Sequence, residues 1–372
     1  MLGKRLRYAI ADNKKTALTM IIGLIAGPIV GAILIDYISI TPARLAGLLE
    51  HDDVSVVERV SNITESSKSK AQVLEFNELR TQFKQPVTLE NLDLTNKTLS
   101  GVNLDSLIIT DSNLSNTNLE NSVLDNVKIS GDLSNIDLKN SSLRNADLTN
   151  ADLTNTYLVD AKLVNTNLRG AALTDAALSN ATLVNANLIT GDLTNAILTN
   201  ADLTNATLLG STMQNAFLLN STLIKAGLRN ADLTNSFISN TDLTNADIPN
   251  ADLTNAYFDN ATLKNTALED ADLLDADLFN TDLTNANLIE ADLTDAYLYG
   301  TNLAHANLVA ADLTNAHLID TVLANTNLNL TKLYRTLFDC ESVRTANTTL
   351  NISQIHLVES INGSLKEVSS CR

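Results

Sequence analysis

Residues 146–158 read ADLTNADLTNTYL, so the same five letters occur twice and a looser third copy begins. A period of five matches neither the 3.6-residue period of an α-helix nor the two-residue period of a β-strand. The spacing persists for about two hundred residues, which points to a repeat architecture rather than to an ordinary globular fold. This period decides the fold.

Each copy has one large apolar residue, which we call its central residue, at every fifth position from Leu133 to Phe338. A small residue stands two positions before it in nearly every copy. Upstream, the same spacing runs from Leu89 to Ile129, and only four residues then lead from Ile129 to Leu133. We expect irregular first coils because large side chains fill several small-residue positions there, namely Val87, Leu92, Lys97 and Leu107.

A chain with this period can wind into a solenoid in which each pentad forms one short side and one corner. The central and small residues then point inward, and Asn, Asp and Thr suit corners because their side chains bond nearby backbone. Two series with a period of twenty indicate four sides per turn. The bulky series is Tyr157, Ala177, Ile197, Phe217, Phe237, Tyr257, Asp277, Tyr297, His317 and Leu337. The acidic series is Asp132, Asp152, Ala172, Asp192, Thr212, Asp232, Asp252, Asp272, Asp292 and Asp312.

The A-(D/N)-L-x-x pattern over residues 87–338 resembles that of the pentapeptide-repeat family. The resemblance implies an all-β solenoid in the form of a right-handed quadrilateral β-helix, and the hand of the winding comes from the resemblance alone. Nearly thirteen coils stacked at the ~4.8 Å spacing of paired strands would form a rod about 60 Å long. One transmembrane helix and a short helical cap region are predicted to precede this solenoid.

Residues 17–35, ALTMIIGLIAGPIVGAILI, carry no charge and nearly cross a ~30 Å hydrocarbon core as a helix. Residues 1–16 are rich in Lys and Arg, whereas Asp36 and further acids follow. The positive-inside rule therefore predicts a cytoplasmic tail and repeats outside the cytoplasm, in a periplasm, at a cell surface or in a thylakoid lumen. The alternative is a cleaved signal peptide, although no cleavage site is evident after Ile35.

The flanks of the repeats are predicted to cover the two ends of the solenoid. Residues 36–86 contain two predicted helices, which form a spacer and N-terminal cap or, alternatively, a self-associating pair. Residues 339–372 are predicted to fold back over the last coil. Cys340 and Cys371 are a candidate disulfide that could contribute ~3–4 kcal/mol to stability, and two free thiols are the alternative.

The sequence offers no pattern typical of an enzyme or of a cofactor or metal site. It contains no Ser-His-Asp grouping, no Gly-rich phosphate loop and no Cys/His cluster with metal-ligand spacing. The net charge of −18 disfavours binding to nucleic-acid phosphates. The acidic series is interpreted as a solvated face, with cation binding and mimicry of DNA phosphates as alternatives.

Aromatic residues give the clearest functional clue, because they line one face of an otherwise polar rod. The candidate interaction residues are Tyr157, Phe217, Phe237, Tyr257 and Tyr297, with Phe279 and Tyr299 each directly after a central residue on the same side. They form a surface for a protein partner or for self-association, or they merely cover cross-strand neighbours, or they line a ligand groove. The predicted function is a membrane-anchored, non-catalytic scaffold or interaction rod. The alternative, taken from the resemblance, is an acidic, DNA-mimicking modulator of a type II topoisomerase (gyrase).

Overall fold

The structure is a computed structural model that describes residues 88–346, 355–361 and 364–368. The predicted tail 1–16, the transmembrane segment 17–35 and the spacer 36–86 lie outside these residues. Within the described part of the chain, no helix is both long and apolar enough to pass through a bilayer.

Parallel backbone pairing with a step of twenty residues builds a solenoid of about thirteen turns. The residue directly before each central residue forms a backbone bridge with the residue twenty positions later, in the next coil. One coil has four such bridging residues, which are Tyr257, Thr262, Ala267 and Asp272. The N–H of Leu253 donates to the carbonyl of Asp272 at 2.7 Å, and this rung recurs in coil after coil. Four ladders define four walls, which confirms the predicted β-solenoid and its four sides. The right-handed winding stays an expectation from the resemblance.

Longer strands occur at the two ends of the described solenoid, whereas most sides between them contribute a single bridging residue. At the start, β1 (Thr88–Glu90), β2 (Ile108–Asn113) and β3 (Lys128–Asp132) form a parallel sheet. At the other end, β4 (His317–Leu318), β5 (Thr336–Asp339) and β6 (Ile355–Ile361) are parallel, and β7 (Ser364–Glu367) pairs antiparallel with β6. One helix, α1 (Cys340–Thr345), follows β5 directly.

The central residues fill the interior, as predicted. Every central residue from Leu89 to Phe338 is buried except Leu328, which is half-buried in the last coil. Burial of a leucine side chain is worth ~1.5–3 kcal/mol before chain entropy is subtracted. Where the small residue is threonine, its hydroxyl donates to a buried carbonyl of the preceding coil, as from Thr301 to Leu278 at 2.7 Å.

The first coils are irregular, also as predicted. Leu92 and Leu107 are buried in small-residue positions. At the missing residue the pairing step shortens from twenty to nineteen, so that Ile109 pairs with Ile129 but Ser112 pairs with Gly131. Gly131 has a φ of 126°, and a Cβ there would collide with the backbone carbonyl oxygen of Ser112. Glycine is therefore what lets the shortened coil close.

The corners explain why asparagine ends so many pentads. The last residue of each pentad has a left-handed backbone, with a φ of 56° at Asn255, and asparagine tolerates this conformation better than most residues. Asparagine side chains also bond each other from coil to coil. The amide of Asn165 donates to Asn145 and that of Asn185 donates to Asn165, both at 3.1 Å.

The helix α1 and the strand β6 lie over the last coil. The hydroxyl of Ser342 accepts the N–H of Thr321, and that of Thr345 accepts the N–H of Leu323, both at 2.9 Å. The hydroxyl of Thr345 takes the place of the carbonyl that a further coil would supply to Leu323, so this part of the edge is covered. Cys340 is disulfide-bonded. Cys371, the other cysteine of the chain, lies outside the described residues, so the Cys340–Cys371 pairing stays a prediction.

Candidate functional site

The aromatic candidates lie on one wall of the solenoid. We call this wall the aromatic wall; its bridging residues are Asp137, Tyr157, Ala177, Ile197, Phe217, Phe237, Tyr257, Asp277, Tyr297, His317 and Leu337. The structure thus brings the five aromatic members of the predicted series onto a single ladder. Their side chains alternate with inward-pointing neighbours, so all of them point away from the core.

Three of these rings form a continuous stack. Phe217 and Phe237 have ring centroids 4.8 Å apart and planes within 6°, and Phe237 and Tyr257 have centroids 5.0 Å apart and planes within 5°. The three side chains are half-buried. Such pairs contribute ~0.5–1.5 kcal/mol each beyond their buried area. The three rings therefore cover one another from coil to coil, as one interpretation of the sequence held, and each residue remains partly exposed.

Tyr157 and Tyr297 are the most exposed members of the ladder, at 57% and 41%. Tyr157 lies two coils away from Ile197, with only Ala177 between them. Tyr297 contacts His317 edge-on, with ring centroids 5.0 Å apart and planes at 73°. These two phenols are accessible to a partner at opposite ends of the stack.

A second aromatic column runs beside the first, near the corner of the same wall. Phe279 and Tyr299 stack with centroids 5.7 Å apart and planes within 18°. Ile319 continues the column and is buried. The carboxylate of Asp277 accepts the N–H of Phe279 at 3.1 Å, which fixes the turn that carries this column.

The charge on the aromatic wall is entirely acidic over most of its length. From residue 140 to residue 337, all of which the structure describes, no Lys or Arg stands on this wall, whereas Asp259 and Asp277 do. Burial raises the pKa of Tyr257, and the negative charges of these two carboxylates raise it further. The phenol of Tyr257 is therefore held in its neutral form.

The acidic series lies on a different wall, and its carboxylates accept hydrogen bonds from the turns that follow them. The carboxylate of Asp232 accepts the N–H and the hydroxyl of Thr234, at 3.0 and 2.6 Å. At the end of this ladder, Lys332 pairs with Asp312 at 2.8 Å. The series is thus explained by turn geometry, which the repeat pattern hinted at through its Asp-Leu-Thr triplets.

A carboxylate on the wall opposite the acidic series shows the electrostatic result of such hydrogen bonding. Burial acts to raise the pKa of Asp282, but hydrogen bonds from Thr284 and Lys264 outweigh it and lower the pKa. Across the described residues, no group of His, Cys, Asp and Glu side chains is arranged to hold a metal ion.

Comparisons with known proteins agree on the repeat. A family model described as pentapeptide repeats matches the chain in eight copies, over residues 87–121 and through overlapping segments over 132–339. No curated protein matches the chain.

Several solved structures are similar to the chain. HetL, a pentapeptide repeat protein involved in heterocyst differentiation regulation from the cyanobacterium Nostoc sp. strain PCC 7120, is 25% identical. The match covers 73% of this chain and 98% of HetL, with a TM-score of 0.19. QnrB1, a plasmid-mediated fluoroquinolone resistance protein, is 17% identical over 69% of this chain and 96% of its own, with a TM-score of 0.26. A pentapeptide repeat protein from the Arabidopsis thaliana thylakoid lumen is 24% identical over 37% of this chain and 86% of its own, with a TM-score of 0.14.

Proposed function

The chain belongs to the pentapeptide-repeat family, and from this premise we propose that it binds a protein partner through its aromatic wall and catalyses no reaction. One observation carries the proposal. Rings that are half-buried or exposed follow one wall for several coils, and between residues 140 and 337 this wall carries no Lys or Arg. Lines of aromatic side chains on polar molecules are typical of contact surfaces, and Tyr is enriched among the residues that dominate binding energy.

The shape of the solenoid supports binding rather than catalysis. The central residues fill the interior, so recognition falls to the outer walls and the ends. Catalytic carboxylates usually need a cleft that shifts their pKa values apart. Carboxylates such as Asp232 and Asp292 instead accept backbone N–H groups of their own turns.

We further propose that the rod is anchored in a membrane and lies outside the cytoplasm. Residues 17–35 are uncharged and follow a basic tail, which favours this orientation. The disulfide at Cys340 also supports it, because disulfides persist mainly in oxidising compartments. A reporter enzyme that is active only outside the cytoplasm, fused after Arg372, should be active. An inactive reporter together with a fluorescent cytoplasmic reporter would contradict the proposal and favour the topoisomerase alternative.

Charges placed on the aromatic wall test the binding proposal. We expect Tyr257→Asp combined with Tyr297→Asp to reduce recovery of the partner from native membranes at least about ten-fold, because two desolvated ring contacts are lost. The matched control is Thr207→Asp combined with Asn307→Asp, at the same pentad position on the opposite wall, and it should retain the partner. Both proteins are first checked for equal thermal stability. Equal recovery from both double variants would refute the proposal.

A further inference from the structure

The aromatic ladder is interrupted at Ala177, where the wall carries only a methyl group. Tyr157 bridges Ala177 from one coil earlier, and Ile197 bridges it from one coil later. The tyrosine is 57% exposed, whereas Ala177 and Ile197 are half-buried. The wall therefore has a gap one coil wide, with Ala177 as its floor and with Tyr157 and Ile197 as its two sides.

The ring stack further along the same wall shows what fits into a gap of this width. There, the ring of Phe237 lies between Phe217 and Tyr257, with centroid distances of 4.8 and 5.0 Å. Ala177 has the same place in its part of the ladder, with one neighbour a coil before it and one a coil after it. Two coil spacings, about 10 Å in total, separate the two neighbours in both cases. The gap over Ala177 is therefore as wide as the space that one aromatic ring fills.

The backbone below the gap has the same geometry as the backbone below the stack. The N–H of Ala177 donates to the carbonyl of Thr156 at 2.9 Å, and the N–H of Phe237 donates to the carbonyl of Ala216 at the same distance. The carbonyls of Ala177 and Phe237 each accept an N–H of the preceding coil at 2.7 Å. A ring seated over Ala177 would therefore meet its neighbours at the spacing at which Phe237 meets its own.

The gap lies in an uncharged part of the wall, all of which the structure describes. Between Asp160 and Asp259, the pentads of the aromatic wall contain no Asp, Glu, Lys or Arg. Over the same coils each of the other three walls carries charged residues, for example Asp192, Asp202 and Arg229. An uncharged occupant therefore matches the gap, because a charged group would lose water there without gaining a partner of opposite charge.

We propose that the gap over Ala177 receives an aromatic side chain of the partner protein, which stacks on Tyr157. This inference rests on the proposed function and names the chemistry of the partner. Stacked aromatic rings attract each other at the centroid distances that this wall provides, and aromatic residues are enriched among those that dominate binding energy. The gap is continuous with the ring stack, which begins at Phe217 two coils further on, so one partner surface can contact both.

A second copy of this chain does not supply the ring from its own stack. Phe217, Phe237 and Tyr257 already lie against one another, so none of them can enter the gap of another copy without leaving that stack. The net charge of −18 also opposes the approach of two copies. A different protein is therefore the occupant that suits the gap.

Binding of a tryptophan peptide to the full-length protein in detergent tests the assignment. The probe is the neutral peptide acetyl-Ser-Leu-Trp-Leu-Ser-amide, and its control is the same peptide with alanine in place of tryptophan. The chain contains no Trp, so the fluorescence of the peptide reports binding directly. We expect the tryptophan peptide to bind and the alanine peptide to be unable to displace it.

The Ala177→Phe substitution fills the gap with a ring of the chain itself. Because the backbone matches that at Phe237, we expect the new ring to stack on Tyr157 and the melting temperature not to fall. The dissociation constant of the tryptophan peptide should rise about ten-fold, since its ring loses its place in the gap. Tyr157→Ala removes the stacking surface without adding bulk, and we expect it to weaken binding to a similar extent.

The chain offers a closely matched control in Ala172. This residue stands in the same coil, one wall earlier, and its pentad AALTD closely resembles the pentad AALSN that contains Ala177. Both alanines are half-buried. We expect Ala172→Phe to change the dissociation constant of the tryptophan peptide less than about two-fold, because a ring on another wall does not enter the gap.

Equal weakening by Ala177→Phe and Ala172→Phe would overturn the assignment, since it would reduce the effect to added bulk. Failure of the tryptophan peptide to bind the unchanged protein, displacement by the alanine peptide, or unchanged binding to the Ala177→Phe protein would also overturn it. A dimer of the unchanged protein that Ala177→Phe converts to a monomer in sedimentation would overturn it too, because a second copy would then fill the gap.

The proposed function fails separately, through the Tyr257→Asp and Tyr297→Asp test. If that test succeeds and Ala177→Phe has no effect, the aromatic wall binds its partner without a ring in this gap.

Discussion

Replacing Leu293 by alanine is expected to lower the free energy of unfolding by about 2–5 kcal/mol. The side chain of Leu293 is fully buried, and its backbone N–H donates to the carbonyl of Asp312 at 2.7 Å. The substitution keeps this hydrogen bond and leaves a cavity in one coil. Because each coil contacts only its neighbours, the loss should appear as local opening around that coil. Urea denaturation followed by circular dichroism measures the total loss of unfolding free energy, and hydrogen exchange shows which coils open more readily.

Thr294 provides the control one residue further along. Its side chain points outward, and its backbone N–H, which the carboxylate of Asp292 accepts at 2.9 Å, is unaffected by Thr294→Ala. We expect this variant to differ from the unchanged protein by less than about 0.5 kcal/mol. Similar losses at both positions would mean that the leucines do not fill the interior as described.

The Gly131→Ala substitution is expected to destabilise the first coils by about 2–3 kcal/mol. Its new methyl group would meet the carbonyl oxygen of Ser112, which belongs to the backbone of the neighbouring strand and cannot rotate away. The φ of 126° is also a conformation that alanine rarely adopts. Hydrogen exchange of the amides in β2 and β3 is the appropriate measurement.

The Gly101→Ala substitution separates the two contributions to the expected destabilisation at Gly131, which are the collision with Ser112 and the backbone strain of a positive φ. Gly101 also has a positive φ, of 76°, but a Cβ there would meet no atom within 4 Å. Its cost should be about 1 kcal/mol, from backbone strain alone. If the two glycine substitutions cost the same, the close approach of Ser112 to Gly131 contributes nothing.

The sequence predicted most of the architecture because burial is periodic. A leucine at every fifth residue can face inward through about fifty pentads only if the chain winds into a solenoid. The recurrence of bulky residues every twenty positions predicted four sides in each turn of that solenoid. The four-residue step from Ile129 to Leu133 also located the irregular coil. The role of Gly131 was not predicted, because it depends on the carbonyl of Ser112, nineteen residues earlier in the neighbouring strand.

The candidate surface was predicted only in outline. Ladder membership follows from spacing, so the sequence placed Tyr257 and Tyr297 together. Ring stacking depends on side-chain rotamers, which spacing does not specify, and the edge-on contact between Tyr297 and His317 was therefore not foreseen. Hydrogen bonding of Asp to nearby backbone at the corners was expected, but the acidic series was interpreted as a solvated face, so the specific turn contact of Asp232 and its equivalents was not assigned.

Position-specific crosslinking around one coil tests the central claim most directly. A photoreactive p-benzoylphenylalanine is introduced singly at four equivalent positions, one on each wall, and the intact cells are irradiated; the positions are Tyr257, Thr262, Ala267 and Asp272. The account predicts a crosslinked partner from position 257 and none from the other three. Crosslinks of equal yield from all four walls, or crosslinks from the other walls without one from position 257, would contradict it.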